Sequence, residues 1–332
     1  MCSRPASFVV AMVIALCGCQ AKQVRRSQPL LGSFATISVA QVNDRQRAHQ
    51  AIDSAFAEIR RIDSLMSVHR PESELSRINR VPKNQWAKVS DDLFLVLTKA
   101  MEISKATEGA FDVTIGPLTQ LWGFIWKEYR LPSEVELRET LPRVGFQHLE
   151  LDPATKSIRF KRPGMSIDLG GIAKGYAVDC AMNALTSRGM TNAMVKCGGD
   201  LRVSGEARPG QAWEIQIQDS IHSGRRSKLR LMNGALSTAG NYENYFIIDG
   251  KRYAHIVDPR HGLPVEGMAS CSVIAPTCLE SDGWSTALFV YGAEKTLQNF
   301  PAMRVLFQRV NIAGKIETMA SETFPLSLEN TK

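Results

Sequence analysis

The 332-residue sequence lacks several features that identify whole classes of protein. Beyond the N-terminal stretch, no apolar run approaches the roughly 20 residues that a membrane-spanning helix needs, which excludes a polytopic membrane protein. There is no internal repeat and no low-complexity tract. With 44% hydrophobic and 22% charged residues, the composition is that of a globular protein, which argues against a collagen-like, coiled-coil or disordered chain.

The sequence also lacks a dense basic patch and a zinc-ligand spacing of cysteines. The net charge is +7, but the basic residues are scattered except for short pairs such as Arg25-Arg26, so we predict no nucleic-acid partner. Four cysteines lie outside the N-terminal stretch. We expect most of them to be buried small side chains, while two disulfides are the alternative in an exported protein: Cys180, Cys197, Cys271 and Cys278.

The N-terminus is typical of an export signal. Arg4 precedes the apolar residues 8–16, and the sequence Leu16-Cys17-Gly18-Cys19 follows. This sequence resembles a bacterial lipobox, in which the small Gly18 precedes the cleaved bond and Cys19 carries the lipid. A plain secretory signal or an uncleaved anchor is the alternative.

We therefore predict a lipoprotein signal peptide over residues 1–18, a lipid-anchored tether over 19–30 and one catalytic domain over 31–325. The protein is expected at the periplasmic face of a bacterial membrane, attached through its N-terminal lipid. Gln20, rather than Asp, after Cys19 favours the outer membrane over the inner one.

The rest of the pattern predicts an α+β fold, a largely antiparallel sheet flanked by helices. Apolar residues at helical spacing predict helices over 46–66, over about 91–107, from 171 and over 280–291. Short strands are predicted near residues 34–39, 166–169, 193–196, 213–218, 228–232, 235–238, 245–248, 270–275 and 304–308.

A glycine-rich segment from Asp168 to Asp179 leads from a predicted strand into a helix and includes Gly171, Ala173 and Lys174. Glycines permit close approach of a ligand, and a helix N-terminus suits phosphate. The segment is neither a Walker A loop nor a G-x-G-x-x-G fingerprint. A tight turn is therefore the alternative.

Two further segments bear polar groups at turns. Gly199 and Asp200 follow a strand, and the segment from His255 to Gly262 places an imidazole close to Asp258 and Arg260. The imidazole is a candidate general base, and a guanidinium can meet a phosphate. Because Asp-Pro commonly starts a turn, Asp258 and Arg260 have an equally good structural interpretation.

Asp282 and Thr286 are four residues apart, so they share one face of the last predicted helix. Carboxylate and hydroxyl oxygens suit Mg²⁺, which takes few protein ligands besides phosphate oxygens and water. The alternative for Asp282 is a helix N-cap.

Taken in order, these segments resemble the ApbE family of FAD:protein FMN transferases. Further matches to the family's motifs are Leu31-Gly32-Ser33, Ser73-Glu74-Leu75, Gly109 to Leu118 with Asp112, and Ser237-Thr238-Ala239-Gly240-Asn241-Tyr242. The resemblance implies an ApbE or T-fold-like domain that uses Mg²⁺ to transfer FMN from its substrate FAD to a Thr or Ser hydroxyl of an extracytoplasmic redox protein, with release of AMP.

The resemblance also implies roles for single residues. His255 would be the catalytic base, and Asp282, Thr286 and the Ala173 carbonyl would hold the metal. The FAD-binding residues would be Leu31, Glu74, Asp112, Asp168, Gly171, Lys174, Gly199, Asp200, Thr238, His255, Asp258 and Arg260.

Departures from the family pattern occur at His69, Ala239, Asn241 and His261, where the family commonly has Tyr, Ser, Asp and Thr. None removes a predicted metal ligand or His255, so we expect activity. Two alternative functions remain at this point: an FAD pyrophosphatase that uses water as acceptor, and a flavin-binding lipoprotein without catalysis.

Overall fold

A computed structural model describes residues 23–218, 226–242, 244–311 and 316–325. The strands are β1 (Val24–Leu30), β2 (Ser33–Val39), β3 (Ala87–Lys88), β4 (Leu149–Asp152), β5 (Ser157–Phe160), β6 (Ala193–Cys197), β7 (Asp200–Ser204), β8 (Trp213–Gln218), β9 (Arg226–Leu231), β10 (Gly234–Gly240), β11 (Tyr245–Ile248), β12 (Lys251–Ala254), β13 (Val257–Asp258), β14 (Leu263–Pro264), β15 (Met268–Ala275), β16 (Arg304–Val310) and β17 (Ile316–Ala320). The helices are α1 (Arg45–Met66), α2 (Glu74–Ile78), α3 (Asp91–Ala106), α4 (Gly116–Leu121), α5 (Glu134–Thr140), α6 (Ala173–Thr186), α7 (Cys278–Tyr291) and α8 (Ala293–Asn299).

The centre of the fold is an eight-stranded antiparallel sheet in the order β1-β2-β6-β7-β10-β15-β16-β17. Helices α6 and α7 pack on one face of the sheet, and α1 packs against α6. The β8–β9 hairpin covers part of the other face through Trp213, Ile215 and Leu229. The middle of the sheet is therefore buried on both faces, which confirms the predicted α+β fold.

The four predicted helices are confirmed, and side-chain caps explain where α1, α3 and α7 begin. Asp44 caps α1 by accepting a hydrogen bond from the Arg47 amide, and Ser90 caps α3 in the same way. The apolar stripe of α1 places Phe56 in the core with no exposed surface. Helical spacing of apolar residues thus identifies the helices that pack on the core.

Two sequence-based predictions need correction. Residues 24–30, which we assigned to a tether, form strand β1 in seven-residue register with β2. Val24 is buried, and Pro29 is tolerated because β1 is an edge strand. The strand predicted at 166–169 is wrong: the Asp168 amide donates to the Val113 carbonyl, and only Ser166 forms an isolated bridge, with Ile115.

All four cysteines outside the N-terminal stretch are free thiols, three of them buried, so the disulfide alternative is not supported. Helices in the described ranges are too short or too polar to cross a membrane. The predicted signal peptide and Cys19 lie outside the described residues.

Helices α6 and α7 come into contact at Gly175. A Cβ atom at this position would lie 2.2 Å from the Cys278 carbonyl oxygen and 2.7 Å from the Asp282 Cβ. The Gly175 amide instead donates to Asp282 Oδ2 at 2.8 Å. The missing side chain therefore allows the backbone of α6 to bind a carboxylate of α7 directly.

We predict that Gly175→Ala destabilises the protein by about 1–3 kcal/mol, because overpacking against backbone outweighs the gain of up to about 1 kcal/mol in helix propensity. Gly283→Ala is the matched control, since its Cβ would meet only side-chain tips, with Ile103 Cδ1 at 2.6 Å. Urea unfolding measures both variants. A Gly175→Ala protein at least as stable as Gly283→Ala would contradict the prediction.

Candidate active site

A long cleft and a smaller cavity meet beside the N-terminus of α6. The cleft has a volume of about 1090 Å³ and the cavity about 200 Å³. Both are lined by Thr119, Asp168, Gly170, Lys174 and His255. Because they share these walls, the two spaces form one continuous site that can hold a long ligand.

A cluster of buried charges lies at this junction. Lys174 Nζ is 2.6 Å from Asp200 Oδ2 and 4.0 Å from Asp282 Oδ1. Both carboxylates are buried, with 1% and 3% of their residue surface exposed. Burial alone would lower the pKa of Lys174, but the two carboxylates outweigh it and raise that pKa. The lysine is therefore charged at neutral pH.

Two carboxylates share one lysine in this cluster, and this affects the pKa of Asp282. Burial, and after it the negative charge of Asp200, raise the pKa of Asp282 to about 7. Lys174 and the Gly175 amide act in the opposite direction. A cation close to Asp282 would therefore stabilise its ionised form.

Asp282 and Thr286 face the smaller cavity from α7. Thr277 caps this helix, so the N-cap alternative for Asp282 is wrong. A Cβ at Gly171 would lie 3.0 Å from Thr286 Cγ2 and 3.1 Å from its Oγ1, so a larger residue here would displace the Thr286 side chain. The structure thus places Gly171, Asp282 and Thr286 together at the smaller cavity, whereas Ala173 lines the cleft.

These oxygen donors fit Mg²⁺ better than a transition metal. Within the described ranges, no three His, Cys, Asp or Glu side chains cluster as a metal site. Mg²⁺ usually keeps several waters and binds one or two carboxylates together with phosphate oxygens. One buried carboxylate beside a hydroxyl agrees with that pattern.

His255 lies just after β12 and lines both spaces. Its Nδ1 and its backbone nitrogen are each 3.1 Å from the Asn244 carbonyl oxygen. Burial lowers the pKa of His255, and the charge of Lys174 lowers it further, while Asn244 and Asp168 raise it. The ring is therefore neutral at neutral pH, as a proton acceptor must be.

Other predicted ligand-binding residues line the site as expected. Leu31, in the β1–β2 turn, lines the cleft, and Thr238 lines the smaller cavity. The Asp168 carboxylate accepts from the Gly170 amide at 2.9 Å and from Thr119 Oγ1 at 3.0 Å.

Four of the predicted ligand-binding residues have clear structural contacts in the protein. Glu74 accepts from the Ser90 amide at 2.7 Å and from Ser90 Oγ at 2.5 Å, so it supports the cap of α3. Asp258 and Arg260 form a two-pronged ion pair with each other, as the turn interpretation requires. A Cβ at Gly199 would lie 2.8 Å from the Thr238 carbonyl oxygen, so this glycine permits close packing.

Asp112 both lines the site and has structural contacts. It lines the smaller cavity, but its carboxylate accepts from the Thr114 amide and hydroxyl and from the Phe146 amide. Burial raises its pKa, and these hydrogen bonds oppose the rise. Its main contact is therefore with the loops that surround the cavity.

The sequence analysis missed an aromatic segment at the cleft. Trp126 is 54% exposed and lines the cleft beside His69, and their ring centroids are 5.7 Å apart in an edge-to-face arrangement. The sequence signal is the aromatic run Trp122-Gly123-Phe124-Ile125-Trp126. Trp126 supplies a flat apolar surface next to His69, the position at which the ApbE family commonly has Tyr.

Fold and site together define an α+β protein with a long cleft that ends at a buried, charged junction. The ApbE family model matches residues 31–306, and the chain belongs to the ApbE family.

Relatives and solved structures agree with this assignment. The chain is 36% identical to an FAD:protein FMN transferase of Vibrio cholerae, over 86% of this chain and 87% of the relative, and 34% identical to one of Haemophilus influenzae, over 88% of each. It is similar to the solved flavin transferase ApbE from Vibrio cholerae, with a TM-score of 0.81 and 32% identity over 92% of this chain and 98% of that chain. The ApbE protein of Thermotoga maritima gives a TM-score of 0.81 and 34% identity, over 91% and 98%.

We predict that Glu74→Gln lowers the free energy of unfolding by about 1–3 kcal/mol, because the new amide group cannot accept both hydrogen bonds from Ser90. FAD affinity should stay within twofold. Glu72→Gln is the control, since its side chain is 73% exposed and should change stability by at most about 0.5 kcal/mol. Urea unfolding and FAD titration measure these effects, and weaker FAD binding at unchanged stability would restore Glu74 as a ligand-binding residue.

Proposed function

We propose that this chain is an Mg²⁺-dependent FAD:protein FMN transferase that flavinylates a Ser or Thr hydroxyl of an extracytoplasmic redox protein and releases AMP. The observation that carries the proposal is the junction itself, where His255 lies beside the buried cluster of Lys174, Asp200 and Asp282. The family membership and the relatives' names support flavin transfer.

In the proposed reaction, His255 and Lys174 have different roles. His255 takes the proton of the acceptor hydroxyl, whose oxygen forms a bond to the phosphorus of the FMN half. The bond from that phosphorus to the bridging oxygen breaks, and AMP leaves with that oxygen. Lys174 places a positive charge beside the pyrophosphate.

Mg²⁺ would be held by Asp282, Thr286 and the Ala173 carbonyl. When bound, it supplies neutralisation of the charge on phosphate oxygens. The raised pKa of Asp282 supports this assignment, because a cation would relieve the repulsion from Asp200.

The two alternatives use the same residues differently. A pyrophosphatase would use water in place of the acceptor hydroxyl and release FMN. A flavin carrier would need no base and no metal, so the joint presence of His255, Asp282 and Thr286 at one cavity argues against it.

The test incubates residues 20–332 with FAD, Mg²⁺ and a candidate acceptor domain, and records the acceptor's mass and the AMP released. We expect an acceptor heavier by one FMN less water, with equimolar AMP. Free FMN and AMP with an unmodified acceptor would identify the pyrophosphatase reaction, and bound FAD without AMP would identify a carrier.

Asp282→Asn should abolish AMP release and also the Mg²⁺-induced rise in melting temperature, since a ligand that binds only the native state stabilises it. Glu280→Gln, on the same helix but paired with Lys99, should retain both. Differential scanning fluorimetry with and without Mg²⁺ gives a readout independent of turnover. A wild-type Mg²⁺ response in Asp282→Asn would remove this residue from the metal site.

We further propose that Cys19 carries a lipid and holds the protein at the periplasmic face of the membrane, with the outer membrane favoured. The lipobox-like sequence supports this proposal. Cys19→Ala should move the protein from the membrane fraction to the soluble periplasmic fraction, whereas Cys17→Ala should not. Membrane retention of Cys19→Ala would instead support an uncleaved anchor.

A further inference from the structure

A chain of hydrogen bonds links His255 to a tyrosine far away in the sequence. His255 Nδ1 is 3.1 Å from the Asn244 carbonyl oxygen, and the Tyr129 hydroxyl donates to Asn244 Oδ1 at 2.9 Å. Tyr129 is 115 positions from Asn244 and comes from the segment between α4 and α5. Asn244 therefore receives contacts through both its main chain and its side chain.

The first of these bonds determines where the imidazole proton lies. A carbonyl oxygen can only accept a hydrogen bond, so His255 Nδ1 must carry a hydrogen to bond with Asn244. In a neutral ring, the other nitrogen, Nε2, then has a free lone pair. The ring can accept a proton only at Nε2.

The Tyr129 ring is held firmly by aromatic neighbours. It stacks on Phe246 with centroids 5.1 Å apart and an interplanar angle of 15°, and it contacts Phe124 edge-to-face at 5.9 Å. Phe246 lies on β11, two residues after Asn244. The aromatic cluster thus fixes the hydroxyl that bonds to Asn244, and with it the start of β11.

We propose that Tyr129 and Asn244 are positioning residues that hold His255 in the Nδ1–H tautomer, so that Nε2 is the base for the acceptor hydroxyl. The inference deepens the proposed function and rests on it for the identity of the reaction. The tautomer itself is a property of the free enzyme. It can be measured even where no transfer occurs.

Asn244 and His255 both line the cleft, whereas Tyr129 supports Asn244 from the aromatic cluster. Loss of the Tyr129 hydroxyl should therefore affect proton transfer more than FAD binding. The charged groups that act on His255 are Lys174 and Asp168, and neither is altered by a change at Tyr129.

The experiment compares Tyr129→Phe with the wild type by ¹⁵N NMR of the imidazole ring at a pH above the His255 pKa, with His255→Gln to assign the signals. We expect an Nδ1–H ring in the wild type and a mixture of tautomers in Tyr129→Phe. The kcat for transfer should fall about 3- to 10-fold, the effect of one lost hydrogen bond, while the KM for FAD stays within twofold.

Tyr253→Phe is the matched control. Tyr253 stacks on Phe246 in the same cluster, with centroids 5.4 Å apart, but its hydroxyl is not bonded to Asn244 in the described structure. It should keep the wild-type tautomer and kcat. Asn244→Ala keeps the main-chain carbonyl but removes the side-chain acceptor, so it should reproduce the effect of Tyr129→Phe.

Several results would overturn the inference. A wild-type ring protonated at Nε2 would do so directly, as would a Tyr129→Phe protein with unchanged tautomer and kcat. A raised KM at constant kcat would make Tyr129 a determinant of FAD binding instead. If the wild type gives the Nδ1–H tautomer but transfers no FMN to any acceptor, the proposed function fails and the positioning of His255 stands.

Discussion

The contact between α6 and α7 at Gly175 is the constraint on which the site depends. The Gly175 amide binds the Asp282 carboxylate directly, and a single added methyl group would collide with the backbone of α7. In the turn that precedes α6, Gly171 lies against the side chain of Thr286. Two glycines thus determine how closely the start of α6 and the turn before it approach the oxygen donors of α7.

This close packing forces charges into the interior. Buried carboxylates are costly unless they are paired, and here Asp200 and Asp282 share the ammonium group of Lys174. Burial, together with the negative charge of Asp200, raises the pKa of Asp282 towards neutrality. A site with two carboxylates and one ammonium group gains from a bound cation. The same packing that shapes the cavity therefore gives it a charge arrangement that would favour a cation.

The sequence predicts the features that depend on the spacing of nearby residues. Apolar periodicity identified α1, and the four-residue spacing of Asp282 and Thr286 placed them on one face. Sequence patterns do not predict contacts between residues that are far apart in the chain. The Asp168 amide bonds to Val113 rather than to a neighbouring strand, and no local pattern links Tyr129 to Asn244. The contact of Glu74 with Ser90, 16 positions away, was also not predicted. Strand β1 was missed because its polar, proline-containing sequence is typical of a linker as well as of an edge strand.

The early start of β1 limits where the enzyme can work. Under the proposed lipidation, only residues 19–23 separate the lipid from a folded strand, a reach of at most about 18 Å. The seven residues of β1 add about 23 Å before the turn at Leu31, which borders the cleft. With this anchor, the end of the cleft at Leu31 would lie within about 40 Å of the bilayer. Under the same proposal, an acceptor would have to come within that distance, so an acceptor held at the same membrane would have an advantage in local concentration.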